Sequence, residues 1–248
     1  MSKAAPLLPK GYALKQYGDI DSTNAEALRL AEKGERGPFW VWAETQSAGR
    51  GRDGRSWVSE AGNLYASLLL PSTDAARAPE LSFVAALALY DTSAQCLGAS
   101  AASQLAIKWP NDLLLDGKKI VGILLEQHSG GEIAIGCGLN LAHMPENTRM
   151  PATSLAAFNV HITPARGLEL LATSLDAWLK VWRAQGFAPV RAAWLARAAG
   201  LGQLITVRLP NGDQHGTFDA LDTDGALILK KDNGETSRIL AGDVFFPT

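Results

Sequence analysis

Arginine and glycine are concentrated in one short segment of the chain. Residues 49–55 hold three arginines and three glycines, and Trp57 follows two positions later. Glycine lets backbone N–H groups approach a ligand closely, and an arginine side chain binds a carboxylate or a phosphate through two parallel hydrogen bonds. The segment therefore predicts either a binding loop for a small anion or a solvated turn, and its residues alone leave both open.

A second group of polar residues lies at a predicted helix start. Ser22, Thr23 and Asn24 lead into a helical pattern over residues 25–33. Thr23 and Glu26 have the spacing of a capping box, in which each side chain binds the backbone N–H of the other residue. Because free N–H groups collect at a helix start, this group predicts either a simple cap or a place for a polar ligand.

Two lysines flank a predicted hairpin. Lys108 precedes it, Lys119 follows the tight turn Asp116-Gly117, and Asn111 and Asp112 lie at the bend between them. Lysine can neutralise a carboxylate or a phosphate, and an aspartate can hold Mg²⁺ or orient a polar group. The alternative is an exposed hairpin with solvated lysines.

Two glycines interrupt a later apolar run. Gly136 and Gly138 lie in the stretch from residue 133 to residue 141, with Asn140 beside them. Glycine weakens a strand, so these positions predict the close approach of a ligand or of another backbone.

Several familiar catalytic patterns are absent from the sequence. There is no phosphate-binding P-loop pattern and no Gly-x-Ser-x-Gly elbow, and the four histidines lack the spacing of zinc ligands. Catalysis would therefore have to rest on positioning and on the stabilisation of charge.

Composition narrows the class of protein. A net charge of −2 argues against a general nucleic-acid binder, because no overall basic field attracts a polyanion. No apolar run approaches the roughly 18 residues of a membrane span, and no signal pattern begins the chain. The two cysteines, Cys96 and Cys137, are interpreted as unpaired core residues. These features predict a cytoplasmic protein that binds a small anionic ligand and has neither nucleic-acid nor membrane partners.

Apolar patterns predict the elements that position these motifs. The predicted strands cover residues 39–43, 64–70, 105–109, 113–115, 120–125 and 133–141. The predicted helices cover residues 25–33, 81–97, 168–182 and 189–199. Residues 1–18 lack a helical pattern and are too few for a helix-turn-helix module.

The pattern changes near residue 200. Short alternating strands from residue 204 onward are separated by three tight-turn dipeptides, Asn211-Gly212, Asp224-Gly225 and Asn233-Gly234. These dipeptides favour two-residue hairpin turns and predict a small β-meander or barrel. The chain is therefore divided into a domain of residues 1–200, which carries the binding motifs, and a small β-domain of residues 201–248.

Five motifs taken together resemble those of the biotin–protein ligase family. In chain order they are Ser22-Thr23-Asn24, Glu44 to Arg52, Lys108 to Asp112, Lys119 to Leu124 with Glu126, and Gly136 to Asn140. Each is moderate evidence alone, while their order and spacing over roughly residues 19–246 make the combination specific. The resemblance is to the short form of these enzymes, which lacks an N-terminal DNA-binding module.

The resemblance implies an α+β fold and a two-step reaction. The fold is a mixed, mostly antiparallel sheet packed with helices, of the class II synthetase-like or biotin–lipoate ligase type, plus a C-terminal SH3-like β-barrel. Biotin and ATP, which comes with Mg²⁺, give biotinyl-5′-AMP and pyrophosphate. A lysine of a biotin carrier domain, such as the carrier subunit of acetyl-CoA carboxylase, then takes the biotinyl group and releases AMP.

The resemblance also assigns roles by position in the matching motifs. The implied biotin-binding residues are Ser22, Thr23, Asn24, Gln46, Arg50, Gly51, Arg52 and Lys119. The implied ATP- or adenylate-binding residues are Arg52, Arg55, Trp109, Asn111, Asp112 and Asn140. The catalytic candidates are Lys119, Arg52 and Arg50, which would offset the repulsion between carboxylate and phosphate. No firm metal ligand is assigned, and Mg²⁺ is expected near Asp112. Phe158 is the candidate for stacking on adenine, and Arg238 is the candidate from the C-terminal region for the ATP side.

Two other functions remain open from the sequence. A lipoate or octanoyl ligase shares the fold and the acyl-transfer logic, but it needs a long apolar tunnel in place of the polar group around Ser22 to Asn24. A non-catalytic biotin-binding regulator is the second alternative. The sequence leaves the oligomeric state undetermined, and a homodimer is compatible with it.

Overall fold

A computed structural model describes residues 5–71, 77–146, 148 and 150–246. Seven strands of these residues form the main sheet, in the order β1-β2-β3-β7-β6-β5-β4. Their bounds are β1 Ala13–Ile20, β2 Phe39–Gln46, β3 Leu64–Leu70, β4 Leu105–Lys108, β5 Asp112–Leu115, β6 Lys118–Gln127 and β7 Ile133–Leu139. Strand β1 pairs in parallel with β2, and every other neighbouring pair is antiparallel. The predicted mixed, mostly antiparallel sheet is confirmed.

Strand β1 was not predicted. Every residue from Ala13 to Ile20 is partly or fully exposed, because β1 is an edge strand. A strand of this kind has no buried apolar face, so it lacks the alternation that reveals a half-buried strand in a sequence.

Helices cover both faces of the sheet. Their bounds are α1 Thr23–Glu32, α2 Glu80–Cys96, α3 Ala99–Ala102, α4 Pro164–Gln185 and α5 Phe187–Leu195. Alternate residues of β2 pack to opposite sides: Trp40 and Trp42 enter the large core, and Phe39 and Val41 enter the smaller core under α1. Burial on both faces explains why β2 reads as a continuous apolar run. None of the helices in the described ranges is both long and apolar enough to cross a bilayer.

The start of α1 differs from the predicted capping box. Ser22 is the N-cap, and its Oγ accepts the N–H three residues along at 3.4 Å. The Thr23 N–H donates to Gln46 Oε1 at 2.8 Å, and the Glu26 carboxylate pairs with Arg29 at 2.7 Å. The predicted box is therefore wrong, because a residue of β2 takes the N–H group that the box would have used. As a result, the start of α1 is tied to the sheet.

A second sheet follows α5. Its strands are β8 Leu204–Leu209, β9 Gly212–Leu221, β10 Leu227–Lys230, β11 Thr236–Ile239 and β12 Asp243–Phe245. They form an antiparallel sheet in the order β11-β10-β9-β8-β12, the predicted SH3-like unit. The glycines of the three tight-turn dipeptides have φ values of 124°, 90° and 85°, a backbone region that glycine adopts without strain.

Aromatic residues join the second sheet to the rest of the molecule. Trp109 is 2% exposed, and its Nε1 donates to the carbonyl of Gly225 at 3.1 Å. A Cβ at Gly225 would lie 2.5 Å from the Phe83 ring, so this turn fits against α2 only as glycine. The rings of Trp194 and Phe218 pack edge to face at 6.4 Å. These contacts hold β9 and the turn between β9 and β10 against the rest of the molecule.

Candidate functional site

A cavity of about 580 Å³ lies where α1, the 49–57 segment, and strands β6 and β7 meet. Of the thirteen residues assigned by position in the matching motifs, all but one line it: Ser22, Thr23, Asn24, Gln46, Arg50, Gly51, Arg52, Arg55, Asn111, Asp112, Lys119 and Asn140. The exception is Trp109. Segments distant in the sequence are thus brought to one place, and the cavity has two chemically different ends.

The neutral end of the cavity consists of Thr23, Asn24, Gln46 and the side chains that hold them. The hydroxyl of Ser67 lies 2.7 Å from Thr23 Oγ1 and 2.6 Å from Asn24 Oδ1. Gln46 Oε1 accepts from the Thr23 N–H, and Gln46 Nε2 donates to Ser59 Oγ at 2.8 Å. Because these groups are buried and bonded to one another, their positions are set before any ligand arrives.

Asn24 is the central member of the neutral end. It is 3% exposed, and its Nδ2 donates to the Leu124 carbonyl at 3.2 Å and to Glu126 Oε2 at 2.9 Å. Its Oδ1 lies 2.5 Å from where a Cβ of Gly136 would be. Glycine at this position of β7 is therefore required for the amide to lie against the sheet.

The floor of the cavity is formed by Trp57 lying on bare backbone. A Cβ at Gly122 or at Gly138 would come within 2.7 Å of the indole ring. The close approach predicted for the glycines of β7 is thus made by side chains of this chain. Trp57 was not assigned a role from the sequence, although it ends the glycine–arginine segment. Its Nε1 is buried and has no hydrogen-bond partner within the described residues.

The arginine loop, residues 49–55, closes on itself. Gly51 N–H donates to the Arg55 carbonyl at 2.6 Å, and Trp57 N–H donates to the Gly49 carbonyl at 2.8 Å. A Cβ at Gly49 would lie 2.5 Å from the Trp57 carbonyl, so the closure needs glycine there. Asp53 has a φ of 56° at the tip and pairs with Arg55 at 2.9 Å.

The charged end of the cavity consists of Arg50, Arg52, Arg55 and Lys119, each bound to an oxygen of the protein. Arg50 pairs with Glu126 at 2.9 Å, and Lys119 pairs with Asp112 at 2.6 Å. Glu126 also accepts from Asn24, so this carboxylate connects the two ends of the cavity. Glu126 belongs to the matching sequence motifs but was given no role.

The second sheet supplies the partners of the other two arginines. Arg52 donates to the Gly242 carbonyl at 3.2 Å and to Asn111 Oδ1 at 3.0 Å. Arg55 pairs with Asp243 at 3.1 Å. The turn before β12 therefore holds the arginine loop, and Asp243 also lines the cavity. Sequence reasoning missed both Gly242 and Asp243.

Lys108 lies behind the charged end and is 5% exposed. Its Nζ lies 3.7 Å from Asp112 Oδ2, 3.4 Å from the Met150 sulfur and 5.7 Å from the centre of the Phe245 ring. Burial lowers the pKa of Lys108 from its usual value, and the charge of Asp112 opposes that shift. Asp112 is thus shared between Lys108 and Lys119.

Three residues proposed for the nucleotide lie elsewhere. Trp109 is a core residue that joins the two sheets, as described above. Phe158 lies in a short 3₁₀ helix and packs against the large core, away from the residues that line the cavity. Arg238 binds Asp222 and Asp224 within the second sheet. Arg238 is not among the residues that line the cavity, and its role on the ATP side stays a prediction.

Asp112 and Asn111 are oxygen donors of the kind that would hold a magnesium ion arriving with a nucleotide, once the lysine and arginine groups that they now contact have moved. Mg²⁺ keeps several waters and uses one or two carboxylates together with phosphate oxygens. Asp112 and Asn111 provide one carboxylate and one amide oxygen at the cavity. Among the described residues there is no cluster of three or more His, Cys, Asp or Glu side chains able to hold a metal alone.

The fold and the cavity together define a ligand-binding α+β domain joined to a small SH3-like unit. Two family models match this arrangement: the Biotin/lipoate A/B protein ligase family over residues 18–140, and the Biotin protein ligase C terminal domain over residues 200–246. A biotin–[acetyl-CoA-carboxylase] ligase of Paracoccus denitrificans is 48% identical over 237 residues, which cover 91% of this chain and 97% of the relative. The chain belongs to the biotin/lipoate A/B protein ligase family.

Solved structures agree with this assignment. The biotin protein ligase of Aquifex aeolicus in complex with biotin and ATP superimposes with a TM-score of 0.81 at 25% identity, covering 94% of this chain and 97% of that one. The biotin protein ligase of Leishmania major in complex with biotinyl-5-AMP gives a TM-score of 0.68 at 26% identity, covering 94% and 100%.

Proposed function

We propose that this chain is a biotin–protein ligase, which activates biotin with ATP and transfers the biotinyl group to a lysine of a biotin carrier domain. The observation that supports this most is the pairing of a buried neutral hydrogen-bonding network with four cations in one cavity. Biotin has a neutral ureido ring at one end and a carboxylate at the other, so its two ends match the two ends of the cavity. The similarity to the Paracoccus denitrificans ligase over nearly the whole of both chains supports the same function.

The ureido ring would bind at the neutral end. Ser22, Thr23, Asn24 and Gln46 provide hydroxyl and amide groups, and Trp57 lines the same cavity. A site built to hydrogen-bond a polar group discriminates strongly against analogues that lack it, because its own buried groups would then be left unpaired. This argument favours biotin over lipoate, whose ring is apolar.

The charged end would bring two anions together. The carboxylate of biotin and the α-phosphate of ATP repel each other, by roughly 4 kcal/mol for unit charges 4 Å apart at an effective dielectric constant near 20. Arg50, Arg52 and Lys119 would offset this repulsion and stabilise the charge that develops on the phosphoryl oxygens. A carboxylate oxygen then forms the bond to the α-phosphorus as the bond to pyrophosphate breaks.

Binding of the two substrates requires the cations to change partners. Asn111, Asp112 and Asn140 would face the nucleotide, and Asp112 would accept the Mg²⁺ that accompanies it. Arg55 would exchange Asp243 for a phosphate oxygen. This exchange costs little because surface ion pairs contribute only about 0–1 kcal/mol, and the arginine loop would then close over the adenylate and exclude water.

The second step needs an external amine. The acceptor lysine attacks the carbonyl carbon of the mixed anhydride, an amide bond forms, and AMP leaves with the bonding electrons. We infer that the acceptor belongs to a carrier domain of a biotin-dependent carboxylase, as the name of the Paracoccus denitrificans relative indicates for that protein. A cytoplasmic location agrees with the use of ATP and with two unpaired cysteines.

A direct experiment tests this function. The protein is incubated with ATP, Mg²⁺, biotin and a purified biotin carrier domain, and the carrier is analysed by mass spectrometry. The expected result is the mass gain of one biotinyl group on a single lysine, together with release of AMP. Biotin should also support exchange of pyrophosphate into ATP, and lipoate should not. Exchange driven by lipoate alone would overturn the assignment, and biotin binding without exchange would indicate a non-catalytic regulator.

A further inference from the structure

One carboxylate serves two lysines at the charged end. Lys119 Nζ lies 2.6 Å from Asp112 Oδ1, whereas Lys108 Nζ lies 3.7 Å from Oδ2, beyond hydrogen-bond distance. The Lys119 side chain is 26% exposed and lines the cavity, but that of Lys108 is 6% exposed and does not. The two lysines therefore differ in what they can reach, since only Lys119 is able to meet a substrate.

Among the described residues Lys108 has Asp112 as its paired carboxylate, and the charge of Asp243 adds a weaker attraction. Its nearest described neighbours apart from Asp112 are a thioether sulfur and an aromatic ring, from Met150 and Phe245. A buried ammonium is costly unless it is paired. Its position 3.7 Å from Asp112 is therefore an incomplete ion pair in the ligand-free arrangement.

Movement of Lys119 would complete this pair. If Lys119 turned toward a substrate anion with no second cation nearby, Asp112 would keep an unpaired and largely buried charge, because its side chain is only 12% exposed. Lys108 needs to move by less than 1 Å to reach hydrogen-bond distance, on the order of an ordinary side-chain adjustment. It can therefore take over the carboxylate that Lys119 leaves.

We propose that Lys108 is a positioning residue that releases Lys119 from Asp112, so that Lys119 can bind the carboxylate of biotin. Lys108 does not touch the substrate and acts only through the shared carboxylate. The proposal rests on the proposed function, because it requires biotin to bind beside Lys119.

The net charge of these groups predicts how each substitution should change biotin affinity. The two lysines and Asp112 carry one net positive charge, which the biotin carboxylate neutralises. Replacing Lys108 with Met leaves Lys119 and Asp112, which are neutral together without biotin and carry one net negative charge when the biotin carboxylate is bound. Replacing Asp112 with Asn in that variant restores the positive charge, although the double variant lacks two native side chains.

The test measures biotin affinity by titration calorimetry without nucleotide, which separates it from any role of Asp112 toward ATP. The variant Lys108→Met should bind biotin about tenfold more weakly, and Lys108→Met combined with Asp112→Asn should recover to within threefold of the unmodified protein. Lys108→Arg keeps the charge and should also lie within threefold. Lys118→Met, at an exposed lysine of the same hairpin, is the matched control and should bind normally.

The possible results of this titration separate failure of the proposed function from failure of the role of Lys108. If the unmodified protein does not bind biotin, the proposed function fails and this inference fails with it. If the unmodified protein binds and Lys108→Met binds equally well, only the inference is overturned. Equal weakening of the single and the double variant would show that Lys108 is merely structural. Should Lys108→Met not fold, as judged by its melting temperature, failure of Lys108→Arg to retain affinity would reject the role of the charge.

Discussion

The two ends of the cavity are built in opposite ways. At the neutral end, Thr23 and Asn24 are 5% and 3% exposed and every polar contact is made within the protein. At the charged end, the side chains of Arg50 and Arg55 are 44% and 47% exposed and are held by carboxylates. We expect the first arrangement to stay the same when a ligand binds and the second to exchange its partners.

This contrast suits the neutral end to ligand recognition and the charged end to the reaction. A buried, fully bonded network holds a rigid shape and penalises the wrong ligand. Exposed ion pairs are weak and can be replaced by substrate anions, which suits groups that must follow a changing charge distribution during a reaction. We therefore expect variants of the neutral end to change affinity and variants of the charged end to change rate.

The largest effect is expected for Lys119→Ala. Loss of this cation should reduce biotin-dependent exchange of pyrophosphate into ATP by roughly a thousandfold, since it removes charge stabilisation at the reacting centre. Biotin affinity, measured by calorimetry, should fall only about tenfold. Equal losses in pyrophosphate exchange and in biotin affinity would show that Lys119 only binds biotin. That result would contradict the division of roles between the two ends of the cavity.

Asn24→Ala should show the opposite pattern. The change removes the amide that contacts Ser67 and Glu126, which keep their bonds to Thr23 and Arg50. The main loss is therefore the amide group that the neutral end offers to a ligand. Biotin affinity should fall by roughly fiftyfold, while the exchange rate at saturating biotin should stay within about threefold. A large drop in the saturated rate with little change in affinity would contradict the division.

Arg52→Gly tests the closure of the arginine loop. Adenylate formation should continue, but activated biotin should escape about tenfold faster because Arg52 no longer joins the loop to Asn111 and to the Gly242 carbonyl. Escape is measured as biotinylation of an unrelated bystander protein, quantified by mass spectrometry. Unchanged bystander labelling would reject the loop as a barrier.

The smallest effect is expected for Asp243→Asn, which removes the carboxylate partner of Arg55 in the second sheet. The ion pair is half exposed, so its loss should change ATP affinity only about threefold, in the direction of tighter binding because Arg55 has one competitor fewer. Asp213→Asn, in an exposed ion pair of the same sheet, is the control. Weaker ATP binding would mean that Asp243 contributes to the nucleotide site directly.

Much of the site could be predicted because it depends on residue types in short motifs. Twelve of the thirteen residues assigned from these motifs line the cavity, including the whole polar group at the start of α1 and the arginines of the loop. Trp109 was misplaced because an indole next to Pro110 suits a ligand wall and a core equally well. The roles of the lining residues and the domain division at residue 200 stay predictions.

The parts that escaped prediction depend on distant contacts. The Thr23 N–H bonds with Gln46 across the sheet, so local spacing alone indicated a capping box that does not exist. Arg238 was named for the ATP side as an arginine of the C-terminal region, and Asp243 was given no role, yet the fold brings Asp243 to the cavity. Burial also gives Lys108 its special environment, and burial of one lysine in a hairpin cannot be read from residue types.

The indole of Trp57 rests on two strands that have no side chains beneath it. A methyl group at Gly122 or Gly138 would displace the ring and, because Trp57 ends the arginine loop, would shift the guanidinium groups as well. The position of the Trp57 ring therefore sets both the depth of the cavity and the positions of its cations. A variant whose cavity is enlarged for a bulkier biotin analogue will therefore keep its catalytic rate only if the Trp57 ring keeps its position. The arginine loop and the floor of the cavity would have to be redesigned together.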